Sequence, residues 1–156
     1  MGYTAHGRQQ RANLQKASQM GKDMLALFRP IVATIPKVVS ERTKSTGAGA
    51  KGTYSKYSTD WAKKRSARGL QTSKKDFWFN GKMWDSYKIT KEEVTDVGVR
   101  YILSSDTADA NNGGYLVDIH SDNQNQNILE VTDEEWDNIV DQMWDVFNKA
   151  TSGLFK

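Results

Sequence analysis

The chain has no cysteine, which removes a disulfide framework, a thiolate nucleophile and any metal site built on sulfur, and fits a reducing compartment. Histidine is nearly as scarce, with His6 in a polar N-terminal stretch and His120 beside Asp118 and Ser121. A Ser-His-Asp reading of Ser121, His120 and Asp118 fails on an expected strand, where sequence neighbours point to alternate faces, and no nucleophile elbow is present. Asp106, Asp109 and Asn111 precede Gly113, but their spacing and the missing twelfth-position Glu break a calcium-loop pattern. Gly47, Gly49, Lys51, Gly52 and Thr53 have the composition of a phosphate loop without its order. The residues therefore lead to no enzyme, no metal and no cofactor.

Long apolar runs are also missing. No stretch approaches the roughly 20 apolar residues of a membrane span, and the N-terminus is too polar for a signal peptide. The expectation is a soluble protein, made in cytoplasm, with no membrane partner. Only 37% of the 156 residues are hydrophobic and the mean hydropathy is −0.72, yet five Trp and 10% aromatic content argue for a folded core. One modest domain with polar arms suits this length.

Acids are scarce in the first half. Through Lys75 there are 16 Lys and Arg against three acids, a balance of +13; from Asp76 onward six bases meet 16 acids, a balance of −10. Such a dipole in sequence fits a basic segment lying on a neighbouring subunit's acidic surface, contact with DNA phosphate, or a solvated face.

In chain order, residues 1–10 show no periodicity and are expected to be flexible. Residues 11–42 form a helical segment. Leu14, Ala17, Met24, Leu25 and Phe28 predict an amphipathic helix ending near Arg29. A second helix is expected to open at Pro30, carrying Ile31, Val32, Ile35, Val38 and Val39, with Pro36 as a kink or boundary. Residues 43–53 are rich in Gly, Ser and Lys and read as a linker loop that orders on assembly. Residues 54–150 are the expected α+β core, and 151–156 a tail whose Leu154, Phe155 and Lys156 are free to dock on a partner.

Within the core, Ser58 and Thr59 are N-cap types, Asp60 suits a first turn, and Lys63, Lys64, Arg65 and Arg68 load the far end of a short helix before Gly69. Lys74 and Lys75 close a polar connection. An aromatic run, Phe77, Trp78 and Phe79, meets a turn at Asn80-Gly81, and residues 82–86 lead into a strand at Tyr87. That strand is expected to turn at residues 91–93 and pair with 97–104. Tyr115, Val117 and Ile119 predict a third strand after the turn-prone Asn111-Asn112-Gly113-Gly114, and residues 128–131 a fourth, giving an antiparallel meander. Thr132 and Glu135 spell a capping box. Behind it Trp136, Ile139, Val140, Met143, Trp144 and Phe147 recur at helical spacing, a stripe that requires the sheet or a neighbour to cover it. N-terminal helices and a C-terminal amphipathic helix packed on a small antiparallel sheet make the fold class α+β.

The string Gly52, Tyr54, Tyr57-Ser58, Trp61-Ala62-Lys63-Lys64-Arg65, Gly69, Phe77 to Phe79, Asn80-Gly81-Lys82-Met83 and Ser86 resembles the tail-completion or neck proteins of tailed bacteriophages, the virion-morphogenesis family. Residues 115–120 and 128–136 are similar to the later part of that pattern. Asn80-Gly81 stands where relatives carry Thr-Gly or Ser-Gly, and Ser121-Asp122 and Gln126-Asn127 depart from it.

The resemblance implies a structural virion protein in a sixfold or twelvefold homo-oligomeric ring at the head-tail junction. It would serve as neck, tail-terminator or head-closure protein between a connector and a tail-tube protein, with DNA passing through its channel without sequence readout. Lys63, Lys64, Arg65, Arg68, Lys74, Lys75, Trp61 and Trp84 are then candidates for subunit interface or DNA channel, and Trp61, Trp78, Trp84, Trp136 and Trp144 are expected as core or interface anchors. A basic-arm nucleic-acid-binding protein outside the virion is the alternative, and predicts affinity that falls steeply with salt.

Overall fold

The computed structural model describes residues 5–78, 80–108 and 114–152. Phe79, Asp109, the expected turn at residues 111–113 and the tail residues 153–156 lie outside the described residues, as does the side chain of His6. Among the described residues, six helices combine with two two-stranded antiparallel sheets in an α+β fold.

Helix α1, Ala5–Val32, begins inside the segment expected to be aperiodic and continues through Pro30. Residues 13–20 are all exposed, so its first turns form an arm, and the turns after them pack on the rest of the chain. The second helix does not start at Pro30. Residues 33 and 34 make a turn, and α2, Ile35–Thr46, places Pro36 in its first turn, where a missing N–H costs nothing. Helix α2 runs into the expected linker and stops at Gly47. The hairpin of β1, Ala48–Gly49, and β2, Gly52–Thr53, then orders that segment within the single chain.

Helix α3, Thr59–Ser66, has the expected N-cap, with the Ser58 hydroxyl accepting from the Trp61 N–H. Residues expected to lead directly into a strand form instead a short helix, α4, Lys82–Ser86. Gly81 precedes it with φ of 80°, and a Cβ there would lie 2.8 Å from the Trp78 ring. The strand hairpin pairs β3, Lys88–Thr95, with β4, Gly98–Ser104, and its turn falls at Asp96 and Val97 rather than at residues 91–93. Val94 and Thr95 extend the strand because β-branched residues suit a pleated ladder. Val99, Tyr101 and Leu103 alternate toward the body, as their spacing predicts, while Arg100 and Ile102 point outward. Gly21 lets α1 approach this hairpin, since a Cβ at that position would lie 2.4 Å from a Val94 methyl.

The expected meander is absent among the described residues. Residues 116–119 belong to helix α5, Leu116–Gln124, and Tyr115 makes only an isolated bridge to Ala108. A short apolar run satisfies both periods, and here Leu116, Val117 and His120 share a helix face, with Val117 buried. Residues 128–131 form a turn and coil instead of a closing strand. The core gathers Ile31, Val32, Ile35 and Val39 from the first two helices with Tyr54, Phe77, Met83, Trp84, Tyr87, Val117, Ile128 and Ile139. Helix α6, Asp133–Thr151, carries the capping box: the Thr132 hydroxyl accepts from the Glu135 N–H, and the Glu135 carboxylate accepts from the Thr132 N–H. Glu135 also pairs with Arg42, which donates to the Glu130 carbonyl at 2.8 Å, so α2 holds the start of α6.

Candidate functional site

The cationic segment divides into a buried half and an exposed half. Lys63, Lys64 and Arg68 are exposed on α3 and the turn after it, with the Lys64 ammonium 5.6 Å from the centre of the Trp61 ring. Arg65, from the opposite side of the same helix, is only 1% exposed. Its expected place on a subunit or DNA surface is therefore corrected: the guanidinium is the centre of an internal knot.

Arg65 donates from Nε to the Gln71 carbonyl at 2.8 Å, from Nη1 to the Trp78 carbonyl, and from Nη2 to the Asp76 carboxylate. Asp76 accepts in addition from Gln71 Nε2 at 2.7 Å, from the Tyr57 hydroxyl at 2.8 Å and from the Trp78 N–H at 2.9 Å. The Tyr57 ring lies 4.5 Å from the guanidinium carbon, and Trp84 Nε1 donates to the Asp76 carbonyl at 3.0 Å. Each buried polar atom here has a partner, which is the condition for a buried ion pair to hold. Trp84 is consequently a core residue, the first of the two places expected for it, and its candidacy for interface or channel is corrected.

The two lysines that follow Arg68 in the candidate set are tethered. Lys74 donates to the Ser45 carbonyl at the end of α2, and Lys75 donates to Ser55 Oγ at 3.0 Å; partial burial lowers the Lys75 ammonium below its usual range. Both lie at a seam within the chain. Trp61 is half-buried and lines a cleft of about 420 Å³ with Tyr57, Lys75, Phe77 and His120. The His120 ring centre is 4.9 Å from that of Phe77, and Ser121 Oγ accepts from the Ile128 N–H, so Ser121 serves the backbone rather than His120. Asp118, His120 and Ser121 are on α5, not on a strand.

The phenols of the knot and the core behave as buried acids. Desolvation pushes Tyr57 and Tyr87 up to about 12 from an ordinary 10.0. A phenol with a raised folded value keeps its proton in the folded chain while the unfolded chain loses it, so this stability is complete below pH 10 and is lost as pH rises toward 12. We expect the phenolate absorbance that Tyr57→Phe or Tyr87→Phe removes from an alkaline titration to be absorbance that rises together with the loss of helix in circular dichroism. Absorbance assigned in this way to Tyr57 or Tyr87 that appears well before any loss of helix would contradict the burial of these rings.

Two further surfaces take shape once the elements pack. One is a groove of about 470 Å³ where Arg29, Lys37, Lys44 and Lys88 stand around Trp84 and Tyr87, with Asp85 the acid among its lining residues. Its helical part recurs at Arg29, Ala33, Lys37, Ser40 and Lys44, and that spacing was available as a signal. The other surface is the outer face of α6. Ile139, Met143 and Val146 pack inward, and Trp136, 48% exposed, lines a cleft with Phe28, Tyr101 and Met143, which leaves Val140 and Trp144 on the outer face at 43% and 62% exposure. Compared with protein-family models, curated proteins and solved structures, the chain matches none. Its surfaces must speak for it. Among the described residues no three His, Cys, Asp or Glu side chains gather as metal ligands, and no helix is long and apolar enough to cross a membrane.

Proposed function

We propose that the chain is a structural subunit of a phage neck, assembling into a ring at the head-tail junction between connector and tail tube and leaving a channel for DNA. The observation that carries this reading is the outer face of α6. Val140 and Trp144, one turn apart on the helix that carries the capping box, stand 43% and 62% exposed. Contiguous exposed apolar side chains mark contact surfaces, and Trp is among the residues that most often anchor them. The string resembling the neck family supports the rest, since its Tyr57, Arg65, Trp78 and Trp84 meet in one knot that makes a rigid platform for assembly.

Particles of the encoding phage, purified away from free protein, are expected to contain this chain in multiple copies by quantitative mass spectrometry. Its absence from finished particles would overturn the reading. The exposed Lys63, Lys64 and Arg68 favour a second one, DNA contact outside a virion, and that reading requires duplex binding by the purified chain whose affinity falls steeply with salt.

A further inference from the structure

The outer face of α6 carries two adjoining rows. Val140 and Trp144 make the apolar row, and Asp133, Asp137, Asp141 and Asp145 the acidic one, every member of both exposed. The Trp144 ring stacks on Phe147 at 5.7 Å with 10° between planes, so it is held in place rather than free to fold away. On another side of the molecule the groove offers the converse, cations around an aromatic floor of Trp84 and Tyr87.

Helix α2 separates these two surfaces. Ile35 belongs to the core and Arg42 reaches Glu135 of α6, whereas Lys37, Ser40 and Lys44 line the groove. At 3.6 residues per turn, Lys37 and Arg42 lie about 140° apart around the helix, and Ser40 and Arg42 about 160°. Helix α6 therefore sits on one side of α2 while the groove opens on the other, and the two cannot meet within one chain.

We propose that the outer face of α6 docks in the basic groove of a second copy of this chain, head to tail, an inference that rests on the reading of the chain as a ring subunit. Trp144 and Val140 seat toward the groove floor, and Asp137, Asp141 and Asp145 meet Arg29, Lys37, Lys44 and Lys88. Lys44 already lies over the Trp78 ring at 4.3 Å and meets the acids from there, while the ion pairs of Arg29 and Lys37 leave them available. Arg29 to Glu92 and Lys37 to Glu41 are exposed surface pairs, and such pairs exchange at little cost. Each copy uses one surface and offers the other, so the contact is heterologous and closes into a ring when the rotation between copies allows.

The test uses charge reversal in the full chain. Asp137→Lys with Asp141→Lys reverses the face, and Lys37→Glu with Lys88→Glu reverses the groove; all four positions are exposed. Light scattering against concentration is expected to show the unaltered chain associating and each reversed chain associating about 100-fold more weakly, because like charges then oppose one another. An equimolar mixture of the two reversed chains restores assembly, since each now fits the other. A second variant keeps the test independent of these charges: in this cysteine-free chain, Ala33→Cys in the groove with Val140→Cys on α6 gives a ladder of disulfide-linked oligomers, while either change alone gives none.

Assembly indifferent to both reversals, no restoration on mixing, or disulfide dimers from Val140→Cys alone would overturn this docking and leave the ring reading standing. An unaltered chain that stays monomeric at every concentration overturns it too, and particle composition then decides the neck reading separately.

Discussion

Asp76→Ala is expected to destabilise the folded chain by about 3–5 kcal/mol, read as a fall in the urea midpoint at unchanged slope. Substituting Ala removes the carboxylate that faces Arg65, Gln71 and Tyr57 and leaves a guanidinium that is 1% exposed without its counter-charge. Desolvation of the remaining ion, rather than loss of one attraction, sets that magnitude. Domains of this kind have about 5–15 kcal/mol in total, so about a fifth of the stability or more is at stake. Replacing both partners by apolar groups, Arg65→Met with Asp76→Leu, is expected to recover part of the loss, because no buried charge is then stranded. A change below about 1 kcal/mol for Asp76→Ala, the range of exposed ion pairs, would contradict the internal knot.

The second large effect divides the tryptophans. Trp84→Ala is expected to cost about 3–5 kcal/mol of stability, since it empties a core site and removes the Nε1 donor from the Asp76 carbonyl. Trp144→Ala, at a residue 62% exposed, is expected to cost the isolated chain no more than about 1 kcal/mol, the loss of its stacking on Phe147. Its cost falls on assembly instead, at about 2 kcal/mol or more for a buried interface anchor. Thermal unfolding of the monomer and light scattering of the oligomer, run on the same two variants, separate these roles. Equal destabilisation of the monomer by both would place Trp144 in the core and remove the exposed anchor on which the assembly reading depends.

Much of this architecture is legible locally. Ser58 as N-cap, the turn at Asn80-Gly81, the inward set Val99, Tyr101 and Leu103, and the box of Thr132 and Glu135 each depend on residues a few positions apart, where spacing and side-chain chemistry suffice. What sequence reasoning misplaced depends on distant partners. Arg65 is chemically like Lys64 beside it, and only the fold brings Asp76, Gln71 and the Trp78 carbonyl around it, so composition reads a solvated cation where the chain buries one. Residues 115–119 alternate as a strand would, but among the described residues they find only a single bridge, from Tyr115 to Ala108, and α5 satisfies the backbone from Leu116 onward. The groove draws on α1, α2, α4 and β3, and is visible only once those elements are together. The stripe on α6 was plain in the sequence, whereas its division into a buried and an exposed half required the packing.

The most direct measurement is a stop codon at Trp61 in the encoding phage, with the lysate imaged by negative-stain microscopy. A structural neck subunit predicts DNA-filled heads lying apart from tails, or tails with uncontrolled ends, and recovery of joined particles when the chain is supplied in trans. Intact, normally tailed particles in the same lysate would contradict a role at the head-tail junction.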